Sequence, residues 1–184
     1  SMCYPVSSMG SHVSVVPNHQ LNRKTPLHTR ANVAYFGTFG YELDLNKLSY
    51  EEISEVKQQI AFMKEYRELI QFGTFYRLKS PFEGNETVWM TVSEDKKTAL
   101  VFWYRERNVV NADFTRVRLQ GLDPDLIYRN EYNETENYGD ELMNLGLLTT
   151  DCTAGEPTSE DAPCTDYESR IYVLTTVARI PSPL

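Results

Sequence analysis

Three histidines, His12, His19 and His28, and two carboxylates, Glu42 and Asp44, are the first side chains in the sequence whose types invite chemistry. The gaps of seven and nine residues between the histidines fit neither an i, i+4 helical pair nor a zinc finger, so no metal ligation is expected of them. Glu42 and Asp44 alternate on one face of a candidate strand. The strand rise sets them roughly 7 Å apart, a separation used by inverting glycosidases. The same spacing suits a solvated rim or a pair of helix-capping groups. Ser7, Ser8, Ser11 and Ser14 occur without the G-x-S-x-G elbow that exposes a nucleophilic hydroxyl. Gly10, Gly37, Gly40 and Gly73 are too dispersed to cradle a phosphate. Trp89, Trp103 and Tyr104 have faces that stack on sugar rings, although residues of this kind on two facing sheets are more often core. No catalytic residue and no cofactor is assigned. His12 and Ser14 in a first strand, with Asn18 and His19 in the loop after it, are the candidate substrate-binding residues, because in a parallel barrel the loop leaving a strand's carboxyl end faces the substrate. His28 reads as a surface or packing residue of a helix.

The elements that would position these groups change character near residue 80. A Val- and Ser-rich strand is expected over residues 6–16, stopped by Pro17. Thr25 and Pro26 then read as an N-cap and first helical residue, opening a helix over residues 26–36. Gly37 ends it, and the alternating FGYELDL is the next strand. Ser49 and Glu52 form a capping box that starts the longest helix, which Gly73 closes. Ile53, Val56, Ile60, Met63, Tyr66 and Ile70 are its expected apolar stripe, and Glu51, Glu55, Lys57, Lys64 and Glu68 its wet face. Strand, helix, strand, long helix is the repeat of a parallel α/β sheet or barrel, and two such units cannot close a barrel alone. From Thr74 the runs TFYRLKS, ETVWMTVS, TALVFWYRER, FTRVRLQ, LIYRNEY and RIYVLTTVAR are separated by turn residues and rich in β-branched and aromatic side chains, predicting an antiparallel sandwich. In GLDPDL, proline and Gly121 mark a turn.

The 184 residues carry a net charge of −8 with 18 basic against 26 acidic side chains, which leaves no basic footprint for nucleic acid or an anionic membrane. No stretch approaches the roughly 20 apolar residues of a spanning helix, and the opening SMCYPVSSMG lacks a signal-peptide pattern. A soluble, cytoplasmic protein is expected. Cys3, Cys152 and Cys164 fit no CxxC motif, and the last two bracket a polar loop as thiols or, in an oxidising compartment, as a disulfide. Asn85 and Asn133 each begin an N-x-T triplet, which matters only on a secretory route.

The string GSHVSVVPNHQLNRKTPLHTRANVAYFGTFGYELDL, residues 10–45, resembles bacterial α-galactosidases of glycoside hydrolase family 36, the melibiase and raffinose-degrading enzymes. The likeness continues through EVKQQIAFMKEYRELIQFGTFYRL, PFEGNETVWMTVSEDKKTALVFWYR, LQGLDPDLIY and YGDELMNLGL. The resemblance implies α/β plus all-β architecture. Residues 1–73 would be the last two β/α units of a (β/α)8 barrel, and residues 74–184 a carboxyl-terminal antiparallel β-sandwich. It also implies retaining hydrolysis of terminal α-galactosides, such as melibiose and raffinose, by two aspartates in Lys-x-Asp and Ser-Asp-Asp-like motifs, and a homo-oligomeric enzyme. Neither aspartate motif is present, so the chain is expected to complete the barrel, line the substrate pocket and be inactive by itself. Its first residues, SMCYPVSS, read as the middle of a family segment, pointing to a truncated carboxyl-terminal piece. The alternative is a stand-alone sugar-binding module acting through Trp89 and Trp103, or an oligomerisation module.

Overall fold

A computed structural model of the protein describes residues 3–109, 114–149 and 166–177. Its first part is built on two short parallel strands, β1 (His12–Ser14) and β2 (Gly40–Glu42), paired with Val13 opposite Tyr41. Helix α1 (Leu27–Ala34) connects them, and helix α2 (Tyr50–Phe72) follows β2. The strand expected over residues 6–16 is shorter than its composition suggested. Residues 6–8 instead wind into a 3-10 turn in which Ser8 Oγ donates to the Pro5 carbonyl, and the strand resumes only at His12. Thr25 does not cap α1. Pro26 occupies the cap position with extended backbone, and the Thr25 carbonyl is taken instead by Arg30 Nε at 3.0 Å. FGYELDL is strand only over Gly40–Glu42, because Asp44 turns to accept the Asn46 backbone N–H and caps a second 3-10 turn, Leu45–Lys47.

The capping box holds as the sequence predicts. Ser49 N–H donates to Glu52 Oε2 at 2.8 Å, and Glu52 N–H donates to Ser49 Oγ at 3.2 Å. The buried face of α2 keeps Val56, Met63 and Ile70 of the expected stripe and departs from it at residue 60. Val56, Gln59, Met63 and Ile70 are buried, whereas Ile60 is 36% exposed against 3% for Met63. Gln59 displaces Ile60 because two tyrosine hydroxyls, of Tyr35 on α1 and Tyr41 on β2, converge on that turn of the helix and need polar partners in a dry seam.

The second part is an antiparallel sheet of six strands in the order β3-β4-β5-β10-β7-β8. These are β3 (Thr74–Lys79), β4 (Glu86–Val92), β5 (Thr98–Arg105), β7 (Ile127–Asn130), β8 (Glu136–Tyr138) and β10 (Glu168–Thr176). A small ribbon of β6 (Arg116–Val117) and β9 (Leu147–Leu148), with helix α3 (Gly139–Asn144), covers one face. There Val101, Trp103, Tyr172 and Leu174 pack against Val117, Leu119, Leu122, Leu142 and Leu147. The run FTRVRLQ thus supplies two strand residues rather than seven, and the second sandwich layer is correspondingly slight. The other face of the sheet, with Leu100, Phe102, Tyr104 and Val173, is covered by α1, α2 and β1 in one shared core. Gly121 sits at φ 75° directly against the Tyr76 hydroxyl, where a Cβ has no room, so the turn in GLDPDL requires glycine for both backbone and space.

The exposure of Ile60 beside the buried Met63 gives a direct test. Met63→Ala should lower unfolding free energy by about 2–5 kcal/mol through the cavity it leaves. Ile60→Ala, on the open face, should stay within about 1 kcal/mol. Urea midpoints of the two variants check this, and similar losses would place Ile60 in the core.

Candidate functional site

The open face of the β1–β2 pair and the loop leaving β1 bring together most of the groups singled out in the sequence. Val13 points into the core, so His12 and Ser14 share the outer face of β1. His12 Nε2 lies 2.6 Å from Glu42 Oε2, both side chains being largely exposed. This pairing and the cap made by Asp44 give the two carboxylates separate partners, which removes Glu42 and Asp44 as a facing acid/base pair.

The loop after β1 is tightly wound. Asn18 Oδ1 accepts the backbone N–H groups of Gln20 and Leu21, each at 3.0 Å, while Asn18 N–H donates to the Arg23 carbonyl and Asn22 N–H to the Asn18 carbonyl, each at 2.8 Å. Asn22 completes the turn with φ 51°, a conformation that asparagine tolerates. The Val16–Pro17 peptide bond that opens the loop is cis. Asn18 therefore shapes the loop, and His19 is exposed with the residues that follow it, Gln20 to Lys24. His28 is exposed on α1, away from β1, as expected for a surface residue.

Two arginines tie this loop down. Arg23 lies over the Tyr167 ring, 4.9 Å from its centroid. Arg30, one turn into α1, donates through Nε to the Thr25 carbonyl and through a terminal nitrogen to the Ser14 carbonyl. Burial lowers the Arg30 pKa, opposed by the nearby carboxylates of Glu52 and Glu55 on α2. Behind it runs a polar seam. Gln59 Nε2 donates to Glu55 Oε1 at 2.7 Å, Tyr41 Oη donates to Gln59 Oε1 at 2.8 Å, and Tyr35 Oη donates to the Gln59 carbonyl at 3.3 Å. Burial, reinforced by Glu55, pushes the Tyr41 hydroxyl up to about 12 and that of Tyr35 higher still. Neither arginine was singled out in the sequence. The one available signal was the helical spacing of Leu27, Ala31 and Ala34, which puts residue 30 on the flank of the buried face.

The aromatic residues offered as a sugar platform are not available for that role. Trp103 is fully buried, with its Nε1–H donating to Glu86 Oε1 at 3.1 Å, and Trp89 packs edge-on between Phe36 and Tyr104. Of the two N-x-T triplets, Asn85 is engaged through both amide atoms by the Arg107 backbone, while Asn133 lies on an exposed turn. Among the described residues no three His, Cys, Asp or Glu side chains gather as a metal site, and no helix is long and apolar enough to cross a membrane. Cys152 and Cys164 lie outside the described residues.

A parallel strand–helix pair docked on an antiparallel sheet, with a polar loop on the strands' open side, is the arrangement to set beside known proteins. Residues 1–73 match the melibiase family model, and residues 86–174 match that of the glycosyl hydrolase family 36 C-terminal domain. The chain belongs to glycoside hydrolase family 36. It is 52% identical over 147 residues to the α-galactosidase AgaA of Geobacillus stearothermophilus, covering 80% of this chain and 20% of that protein. It is 46% identical, with 80% of this chain and 16% of the relative covered, to the bifunctional α-galactosidase/sucrose kinase AgaSK of Mediterraneibacter gnavus. The AgaA crystal structure superposes with a TM-score of 0.85 at 46% identity, covering 95% of this chain and 23% of that one. A variant of it has been solved with raffinose, matching with a TM-score of 0.85 at 45% identity over 95% of this chain and 23% of that one. The chain thus spans about a fifth of the length of the curated relatives it matches.

The tyrosine seam predicts an alkaline weakness. A hydroxyl that ionises less readily folded than unfolded contributes stability that is whole below its unfolded value of 10.0 and is lost as pH rises through its folded value of about 12. The urea midpoint should therefore fall between pH 10 and 12, and Tyr41→Phe should make that fall shallower. A midpoint indifferent to pH over this window would show the seam to be wet.

Proposed function

We propose that this chain is the carboxyl-terminal part of an α-galactosidase, a retaining hydrolase that releases terminal α-galactose from oligosaccharides such as melibiose and raffinose. The observation that carries the proposal is the β1–α1–β2–α2 order with parallel pairing in the segment related to melibiases, followed by the segment related to the family 36 C-terminal domain. Residues 1–73 then form the last two units of the (β/α)8 barrel, and residues 74–184 the antiparallel accessory domain. Parallel pairing with a helix after each strand supports that division. So do the outer edges of β1 and β2, whose backbone groups call for neighbouring strands.

Retaining chemistry needs two carboxyl groups about 5 Å apart across the glycosidic bond. In this chain Glu42 is engaged by His12 and Asp44 by its cap. The family likeness implies that the catalytic pair is supplied by barrel strands that precede these two, and that the part played here is the wall of the substrate pocket. His12, Ser14 and His19 present polar atoms to the open side for hydrogen bonds to sugar hydroxyls, and Asn18 acts through the shape of its loop. With this reading go a cytoplasmic location and assembly as a homo-oligomer, which size-exclusion chromatography with light scattering on the whole enzyme would test.

The chain purified by itself should not hydrolyse a chromogenic α-galactoside, whereas the same chain preceded by its barrel strands should. Turnover by the chain alone, or none by the longer protein, would overturn the assignment. Within the active enzyme, Asn18→Asp keeps an acceptor for the Gln20 and Leu21 N–H groups and should retain activity, while Asn18→Ala should lose on the order of tenfold in kcat/KM. Equal effects of the two substitutions would show that the Asn18 amide itself meets the sugar.

A further inference from the structure

We propose that Arg30 is a positioning residue for substrate: from α1 it fastens both ends of the loop after β1, and so sets where Asn18 and His19 stand relative to the barrel strands. The inference rests on the α-galactosidase reading for its kinetic half only. The loop spans residues 15–25, from the end of β1 to the start of α1. Its own hydrogen bonds are all local, between Asn18 and residues 20–23, so they fix its shape and say nothing of its placement. Placement comes from outside. The planar guanidinium of Arg30 reaches the last carbonyl of β1, at Ser14, with one nitrogen and the carbonyl of Thr25, just before the α1 cap, with another. A rigid fork of this kind fixes two acceptors relative to each other as well as to itself.

The backbone chemistry explains why an arginine is needed. Thr25 would serve as a side-chain cap if the helix began at Pro26, but the helix starts at Leu27 with no side-chain cap on its first turn. The Thr25 carbonyl precedes the helix and the Ser14 carbonyl ends β1, and Arg30 is the donor to both. Burial lowers the Arg30 pKa, and the carboxylates of Glu52 and Glu55 on α2 oppose that shift. Arg23 on the Tyr167 ring is a second, outer attachment. It lies on exposed surface and holds one end only.

The test has a structural and a kinetic arm. In the full chain, Arg30→Met should speed amide exchange at residues 18–23 by about tenfold or more while the amides of β4 and β5 keep their protection. Arg30→Lys, which keeps the charge and can reach one carbonyl at a time, should fall between, and it decides the matter if the methionine variant does not fold. In the active enzyme, Arg30→Met should raise KM for an α-galactoside on the order of tenfold, the cost of one charge-assisted hydrogen bond, with kcat changed less than about twofold. Arg23→Ala should do less on both counts. Loop amides that exchange at the wild-type rate in both Arg30 variants would overturn the clasp. A loosened loop with unchanged KM would overturn the link to substrate. An enzyme with no galactosidase activity in its wild-type form would instead remove the functional reading, and the exchange result would still decide the clasp.

Discussion

Burial of both faces of β5 is the constraint on which the rest of the molecule depends. Seven of its eight residues, Ala99 to Arg105, are buried. One face takes Ala99, Val101 and Trp103 into the core beneath the β6–β9 ribbon and α3, and the other takes Leu100, Phe102 and Tyr104 into the core shared with the helices. A strand of that composition is stable only between two covers. The second cover is α1, whose trailing Phe36 meets Phe75, Trp89 and Phe102 edge-on, at ring centroids 5.4, 4.9 and 4.3 Å away. A polar latch fixes its rotation: Thr29 Oγ1 donates to the Tyr167 carbonyl at 2.7 Å, Asn32 Nδ2 to Ser169 Oγ at 2.9 Å, and Tyr104 Oη to the Asn32 carbonyl at 2.6 Å. Aromatic packing supplies most of the energy, and the hydroxyl and amide bonds supply the register, because each leaves a buried polar atom unpaired if the helix turns.

The two sequence regions are therefore joined by a common core. The change of character near residue 80 seen in composition would leave the carboxyl-terminal region able to stand alone, with two sheet faces packed on each other. Its sheet instead leans on the first 73 residues for one whole face, and removing them would expose Phe102, Val173 and Trp89 together. This ties site to scaffold. β1 and β2 hold their places because α1 and α2 hold theirs, and α1 holds its place because the sheet requires it. The open face carrying His12, Ser14 and the Asn18 loop is thus anchored to an antiparallel sheet that contributes no candidate group to it. A sheet arranged this way stiffens the β1–β2 pair from behind.

Side chains away from this joint serve one another in the same manner. Glu86, half-buried at the start of β4, accepts from Trp103 Nε1 and from Thr115 Oγ1, each at 3.1 Å, and forms an ion pair with Lys79. Arg105 and Arg170 both pair with Glu168, and both lie over the Trp103 ring, 5.4 and 5.7 Å from its centroid. Trp103 is held between these charges as a strut, which is why its ring is shut off from any sugar.

Local grammar in the sequence determined the elements with a local cause. The S-x-x-E box and Gly73 bound α2 within the chain itself, and the polar turn EDKK sets β4 against β5. The runs ETVWMTVS and TALVFWYR are strands by composition alone, and the long resemblance pointed to the family whose models the chain matches. Tertiary structure decided that Gln59 and not Ile60 joins Val56, Met63 and Ile70 on the buried face of α2, because two tyrosine hydroxyls arrive there from other elements. It decided that Asp44 caps a turn and Glu42 meets His12, that Trp103 is core, and that Arg30 closes the loop after β1. Periodicity and capping are properties of neighbours along the chain and can be read from it. A polar partner is chosen by whatever other segment brings an unsatisfied donor or acceptor within about 3 Å, and no local pattern records that meeting.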